Sequence, residues 1–153
     1  MSLDGEVEVD SRWAGVSRAD EAALEVGLAL ADGDGVTVVC LGPAGAEPTL
    51  RSAFAVGADR VVRVDASPEL DSLVVALALA EQLREADLVI CGDHSMDRGT
   101  GSVPSFLAAE LESVQALGLV EIETGRRGSS QKAEHLRVLR RLDGGRREIL
   151  DVP

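Results

Sequence analysis

The segment CGDHSMDRGTGS, residues 91–102, contains the residue types best suited to binding chemistry. It is rich in glycine and hydroxyl residues, and it separates an apolar run from a helix-like segment. Glycines let the backbone approach a ligand closely, and successive N–H groups at a helix start bind anions. We therefore predict that Gly99, Thr100, Gly101 and Ser102 hold a phosphate-type group without a metal ion.

An alternative explanation of this loop is structural. The phosphate-loop pattern GxxxxGK[ST] is absent and the loop has no lysine, so a GTG sequence could simply be a helix start that needs small residues for packing. Asp97 could accept hydrogen bonds from loop amides or a ribose, but it would repel a phosphate unless Arg98 offset its charge. Both explanations stay open at this stage.

Other kinds of chemistry have weaker support. Cys91, Asp93 and His94 are clustered, but the only other histidine, His135, lies far along the chain, so we predict no metal site. Neither GxSxG nor HExxH is present. We predict no catalytic residues, and therefore a binding protein that is not an enzyme on its own.

Apolar, β-branched runs at 36–41, 60–65 and 86–92 predict strands buried on both faces of a parallel sheet. Helix-like segments at 18–31, 46–56, 68–84 and 103–112 alternate with them. The fold class expected is α/β, with helices on both faces of a parallel sheet. Ligands of such sheets bind at the carboxyl ends of the strands, which here are marked by Gly42 and Gly92.

The helix boundaries follow from capping residues. Ser17 is predicted to cap the first helix, with Asp20 in its first turn, and Gly57 to end the second. Ser67 is predicted to cap the third helix, with Pro68 at its first position. The buried stripe of that helix is predicted to contain Leu70, Leu73, Val74 and Leu77.

The ends of the chain have a different pattern. Residues 6–10 predict a short strand, and 118–123, 135–142 and 147–152 predict antiparallel strands with a turn at 143–145. Residues 125–132 predict a flexible connection. Because Arg140 interrupts the apolar face of the last hairpin, we expect that hairpin to be a half-exposed edge. We expect one domain over 1–153, with an α/β core at 17–113 and an antiparallel extension at 118–153.

Composition narrows the partners and the location. A net charge of −12 disfavours nucleic acid and anionic membranes, although residues 126–153 carry a balance of +4. That basic block predicts a solvated hairpin more than a docking patch. Cys40 and Cys91 each end an apolar run and predict buried thiols. With no secretory or membrane-spanning pattern, we expect a cytoplasmic protein, and the residue usage is typical of a high-GC bacterium.

Several stretches together resemble the beta subunits of electron transfer flavoproteins. They are SRWAGVSRADEAALEVGLAL, GVTVVCLGPAGAEPTLRSAFAVGADRVVRV, ADLVICGDHSMDRGTGSVPSFLAAEL, GLVEIETG and RVLRRLDGGRREILDVP, in the family's order. The GADR element and the D-x-x-T-G loop make the resemblance specific. It implies a Rossmann-like, three-layer α/β/α fold of the adenine nucleotide alpha hydrolase type with an added antiparallel hairpin.

The resemblance also implies cofactors and partners. They are FAD shared with an alpha subunit, an AMP-type nucleotide in this chain, and flavin dehydrogenases as electron donors. The nucleotide-binding positions it implies are Ser17, Asp20, Cys40, Gly42, Gly92, Asp97, Gly99, Thr100, Gly101, Ser102 and Val103.

This sequence differs from the family pattern in places. Asn-Pro is replaced by Ser17-Arg18, and the usual glutamine after the T-G pair by Ser102. Family members usually have a further central strand before the first helix and an arm after the last strand, and neither is matched. The resemblance therefore implies a member shortened at both ends, whose sheet gap is filled by another strand, a partner or a swapped homodimer. A universal-stress-type nucleotide-binding protein, or a structural remnant without a ligand, are the alternatives.

Overall fold

The computed structural model describes residues 15–31, 35–96, 99–124 and 135–153 of the 153-residue chain. The predicted strand at 6–10 and the predicted connection at 125–132 lie outside those residues. The chain divides into two compact units, Met1–Leu111 and Glu112–Pro153, which are described separately below. The first unit combines helices with a parallel pair of strands, and the second is an antiparallel sheet.

The first unit follows the predicted alternation of helices and strands up to its third strand. Its elements are α1 (Arg18–Leu30), β1 (Thr37–Leu41), α2 (Glu47–Val56), β2 (Arg60–Val64), α3 (Ser72–Leu83) and α4 (Val103–Glu110). β1 and β2 pair in parallel, with Thr37 opposite Arg60 and Leu41 opposite Val64. This confirms a mixed α/β architecture with a parallel sheet, although the described sheet has two strands.

The prediction of a strand at 86–92 is wrong for this structure. Leu88–Gly92 belongs to no strand and has no ladder partner among the described residues, and Leu88 remains exposed. The sequence contains the apolar run, but a strand also needs a neighbour for its backbone N–H and C=O groups. No described strand supplies that neighbour.

β1 has one open edge. Gly42 N–H donates to the Val64 carbonyl at 3.0 Å, and Arg60 N–H donates to the Val36 carbonyl at 3.2 Å. Because strand residues alternate in direction, the backbone groups of Thr37, Val39 and Leu41 point away from β2. Within the described part of the chain these groups face no strand.

α3 begins later than predicted and buries a different face. Asp71, not Ser67, is its cap: the carboxylate accepts from Leu73 N–H and Val74 N–H, each at 3.0 Å. Two amides on one carboxylate stabilise the helix start, whereas Ser67 caps only the preceding turn at Glu69.

The stripe predicted to be buried on α3 is largely exposed. Leu73 and Leu77 are 48% and 42% exposed, and Val74 is exposed as well. The buried residues are Ala76 and Ala80, which pack with Leu107 of α4. Alanines occupy this contact because their small side chains allow the two helices to approach closely.

α3 and α4 run parallel to each other. Ser72 at the start of α3 contacts Thr100 just before α4, and Arg84 after α3 forms an ion pair of 3.2 Å with Glu110 at the end of α4. Both helix N-termini, which carry the positive ends of their dipoles, therefore lie at the same end of the pair.

The second unit is a three-stranded antiparallel sheet in the order β3 (Leu119–Thr124), β4 (Leu136–Arg141) and β5 (Arg147–Val152). The predicted strands are confirmed within one or two residues. Asp143–Gly145 forms the predicted turn, where Gly144 and Gly145 have φ of 73° and 76°. β4 is central, and its Val138 is 2% exposed. Arg140, predicted to interrupt the face, is paired with Glu148 at 2.6 Å.

Candidate functional site

Three hydroxyl groups meet beside the start of α4. Thr100 Oγ1 lies 2.9 Å from Ser102 Oγ and 3.2 Å from Ser72 Oγ. Thr100 is exposed, and the two serines are half-buried. We call these three residues the hydroxyl cluster. Because they touch one another, they can offer donors to a single small group.

The hydroxyl cluster lies at the shared N-terminal end of α3 and α4. Asp71 satisfies two amides of α3, whereas Ser102, the residue before α4, makes no side-chain cap. Helix N-termini favour negative charge, and the uncapped start of α4 does so next to the hydroxyls. This arrangement can accommodate a phosphate or another anion.

The loop glycines are also required by internal packing. Gly99 and Gly101 have φ of 59° and 62°, a backbone conformation that favours glycine. A Cβ on Gly99 would lie 2.6 Å from the His94 ring, and one on Gly101 would lie 2.8 Å from the Asp93 carbonyl oxygen. The structural explanation of the GTG sequence is therefore supported, whether or not a ligand binds.

Two loop amides already have acceptors in the protein. Gly99 N–H donates to Ser95 Oγ at 3.1 Å, and Ser102 N–H donates to Thr100 Oγ1 at 3.4 Å. An anion that used these amides would have to replace both hydroxyl acceptors. The assignment of Gly99, Thr100, Gly101, Ser102 and Val103 to a ligand therefore stays a prediction.

Ser17, Asp20 and Gly92 form a second group. Asp20 N–H donates to Ser17 Oγ at 3.0 Å, so Ser17 caps α1, and the Ser17 hydroxyl in turn donates to Asp20 Oδ2 at 2.8 Å. Gly92 N–H donates to Asp20 Oδ1 at 3.0 Å. The structure thus brings these three predicted site residues together, although their contacts are with one another.

Cys40 and Gly42 form a third group, at the carboxyl end of β1. The Gly42 N–H donates to Val64, and the Gly42 carbonyl accepts from Arg63 Nη1 at 2.9 Å. Arg63 also pairs with Asp65 and lies 3.9 Å from Glu47. The Asp65 hydrogen bond is the main cause of the raised pKa of Arg63. The turn is thus held by an arginine, and Gly42 could border a ligand with its backbone groups already engaged.

The prediction that both cysteines are buried is wrong. Cys91 is exposed and Cys40 is half-buried. Cys91 belongs to the 88–92 segment, which pairs with no described strand. Partial desolvation by the surrounding protein nevertheless raises the pKa of the Cys91 thiol, and the Asp20 carboxylate raises it further.

Two residues of the predicted loop lie outside the described ranges, and two residues near the site were not predicted from the sequence. Asp97 and Arg98 lie outside the described residues. Ser72 and Arg63 were missed. Ser72 follows the residue that caps α3, so it becomes a candidate only once that helix start is known. Arg63 stands directly opposite Cys40 in the parallel register, which the strand pairing reveals.

The residues that the structure describes, 15–31, 35–96, 99–124 and 135–153, contain neither a metal-binding group nor a membrane-spanning helix. No group of three His, Cys, Asp or Glu residues there could hold a metal ion. No helix in those ranges is both long enough and apolar enough to cross a membrane.

Comparisons with known proteins give a consistent result. Residues 7–152 match the electron transfer flavoprotein domain family. The chain is 34% identical over 131 residues to electron transfer flavoprotein subunit beta of Bradyrhizobium diazoefficiens, which covers 82% of this chain and 50% of that protein. It is 31% identical over 139 residues to the same-named subunit of Thermoanaerobacterium thermosaccharolyticum, covering 87% and 50%.

A relative with a different name matches as well. Protein FixA of Rhizobium meliloti is 34% identical over 137 residues, covering 82% of this chain and 46% of that protein. The chain therefore spans about half the length of the curated relatives it matches.

Proposed function

Because this chain belongs to the electron transfer flavoprotein domain family, we propose that it serves as a beta-subunit-like component of an electron carrier. The resemblance inferred from the sequence is confirmed by the family match over residues 7–152. The relatives are named as subunits of electron transfer flavoproteins, which agrees with the prediction of an electron-transfer role and not of catalysis. These matches favour the flavoprotein role over the universal-stress alternative.

The partners in this proposal are an alpha subunit and, through it, flavin dehydrogenases. The word subunit in the relatives' names supports a multi-chain assembly. FAD, when bound between the subunits, supplies the flavin that carries the electrons. We assign no residue of this chain to the flavin, so this part of the proposal depends on family membership. A cytoplasmic location and a Rossmann-like, three-layer α/β/α fold belong to the same proposal.

The nucleotide part of the proposal has support in the chain itself. The single observation that carries it is the hydroxyl cluster at the parallel N-termini of α3 and α4. Hydroxyls of Ser72, Thr100 and Ser102 would donate to phosphate oxygens of an AMP-type nucleotide, exchanging their present mutual contacts. The helix dipoles add a favourable field, which suits an anion in a chain whose loop has no lysine.

Calorimetric titration of AMP into the purified chain tests this site. Thr100→Val keeps the shape of the side chain but removes its hydroxyl, and we expect roughly tenfold weaker binding, since one hydrogen bond to a charged group contributes about 1.5 kcal/mol. Ser52→Ala is the matched control, because Ser52 is an exposed helical serine whose hydroxyl bonds only the Pro48 carbonyl in its own helix.

The titration has clear outcomes. Binding that is weakened by Thr100→Val but unchanged by Ser52→Ala supports the site. No AMP binding by the unmodified chain, or equal binding by both variants, overturns the nucleotide assignment. Co-expression with an alpha-type subunit tests the flavin assignment separately: a yellow complex is expected, and a colourless, unassociated chain would contradict it.

A further inference from the structure

β5 is an edge strand with a complete set of outward-pointing backbone groups. Leu142 N–H donates to the Arg146 carbonyl at 2.9 Å across the hairpin. Arg141 N–H points away from β5 and donates to the Gly118 carbonyl at 3.0 Å. Residues 146, 148, 150 and 152 therefore bond to β4. The backbone groups of Arg147, Ile149 and Asp151 point outward, where no strand of the described chain receives them.

The same three residues share one exposed face of the sheet. Along β5, exposed and half-buried positions alternate, and Arg147, Ile149 and Asp151 are all exposed. Ile149 is 62% exposed, so its apolar side chain is available for contact on this face. The exposed face of β5 thus reads basic, apolar, acidic along the chain.

Arg147 forms no ion pair with the described residues of its own chain. It lies directly opposite Arg141, at a position of the antiparallel pair where the side chains come closest. Neither arginine forms an ion pair with any residue that the structure describes. Like charges directly opposite each other are unfavourable, so Arg147 is suited to an acidic group arriving from outside.

We propose that β5 pairs with β5 of a second copy of this chain in an antiparallel, two-fold symmetric ladder. When a second copy runs antiparallel to the first, the basic end of one β5 faces the acidic end of the other, and the apolar residues face each other. In this register Arg147 stands opposite Asp151 of the second copy. Ile149 packs against the equivalent isoleucine of the second copy at the two-fold axis. The outward N–H and C=O groups of these residues form the ladder, and two three-stranded sheets become one of six strands.

The opposite face tolerates this register. There Glu148 stands across from Leu150 of the second copy, and it retains its ion pair with Arg140. Asp151 already contacts Arg137 at 3.4 Å, but both side chains are mostly exposed, so the carboxylate can contact Arg147 as well. One six-residue strand per copy buries little area, so we expect a weak dimer that depends on protein concentration.

Sedimentation velocity of the full chain over a range of concentrations tests the pairing. We expect a reversible dimer that weakens at high salt because its ion pairs are exposed. Arg147→Asp and Asp151→Arg each place like charges opposite each other twice per dimer, and each should raise the dissociation constant about tenfold or more. The double variant, Arg147→Asp with Asp151→Arg, restores opposite charges and should restore the dimer.

Mixing the two single variants gives a result that a folding defect could not produce. One carries acidic and the other basic groups at both positions, so the mixture should associate more strongly than either variant alone. Ile149→Pro removes only an outward N–H and the central contact, and should abolish association while circular dichroism shows the sheet intact.

The outcomes separate the proposal from its alternatives. A chain that stays monomeric at every concentration overturns it. A dimer that survives Ile149→Pro and both charge reversals uses another surface, and overturns it too. Loss in the single variants with recovery in the mixture or the double variant supports it.

Discussion

Replacement of Gly92 by alanine should weaken the first unit at the contact between the 88–92 segment and α1. A Cβ there would lie 2.5 Å from Asp20 Oδ1, 2.7 Å from Asp20 N and 2.8 Å from the Ala19 carbonyl carbon. Two of these atoms are helix backbone, so the clash cannot be relieved by rotating a side chain. The segment must move away and lose the 3.0 Å hydrogen bond from Gly92 N–H to Asp20.

The size of the effect follows from that lost contact. A hydrogen bond to a charged group contributes about 1.5–3 kcal/mol, so we expect Gly92→Ala to lower the free energy of unfolding by about 2–3 kcal/mol. Urea denaturation followed by circular dichroism measures it. Gly45→Ala is the matched control, since nothing lies within 4 Å of its added Cβ.

The control should change stability little or increase it, because alanine restricts the unfolded chain. If Gly92→Ala were no more destabilising than Gly45→Ala, the close approach of the 88–92 segment to α1 would be refuted. If the amide of residue 92 exchanged its hydrogen at the same rate in Gly92→Ala as in the unmodified chain, the predicted loss of the hydrogen bond to Asp20 would be refuted as well.

Three further predictions concern the same unit. Burial, and to a smaller extent the Asp20 carboxylate, raise the pKa of the Cys91 thiol, which therefore stays protonated to higher pH. At pH about 8 the thiol should react with a disulfide reagent more slowly than an unperturbed thiol. Asp20→Asn should speed the reaction. A pH–rate profile shows this; an unchanged rate would contradict it. Asp71→Ala removes the acceptor of two amides and should cost about 1 kcal/mol in thermal unfolding, whereas a negligible change would show that this cap is dispensable. Val38→Pro removes a backbone hydrogen bond to β2, whereas Val39→Pro removes only an N–H on the edge of the sheet. The first variant should therefore lose at least about 1 kcal/mol more free energy of unfolding than the second, and equal losses would show that the edge is not open.

The antiparallel unit could be predicted from sequence because its determinants are local. Short runs rich in apolar residues on either side of the Asp143–Gly145 turn mark β4 and β5, and Gly144 and Gly145 supply the positive φ that the turn needs. α1 was predicted equally well, because the Ser17–Asp20 cap lies within four residues of sequence. Each of these features depends on neighbours in the chain.

The errors concern features that depend on distant residues. The run at 86–92 has strand composition, but a ladder requires a second strand beside it. The exposure of Leu73 and Leu77 depends on where α4 packs, and α4 selects the alanine face of α3. The exposure of Cys91 follows from the missing ladder. None of these can be obtained from periodicity within one segment.

The small residues of the 91–102 loop bear on ligand binding less directly than their types suggest. Gly92, Gly99 and Gly101 each have an added Cβ within 2.8 Å of another protein atom, so the fold alone requires glycine there. A variant at any of them would change folding and binding together. The hydroxyls of Thr100 and Ser102 differ, because their contacts are with other hydroxyls and with one loop amide at 3.4 Å. Removing them should leave the fold nearly unchanged, so they are the positions where a loss of nucleotide affinity would report on the site itself.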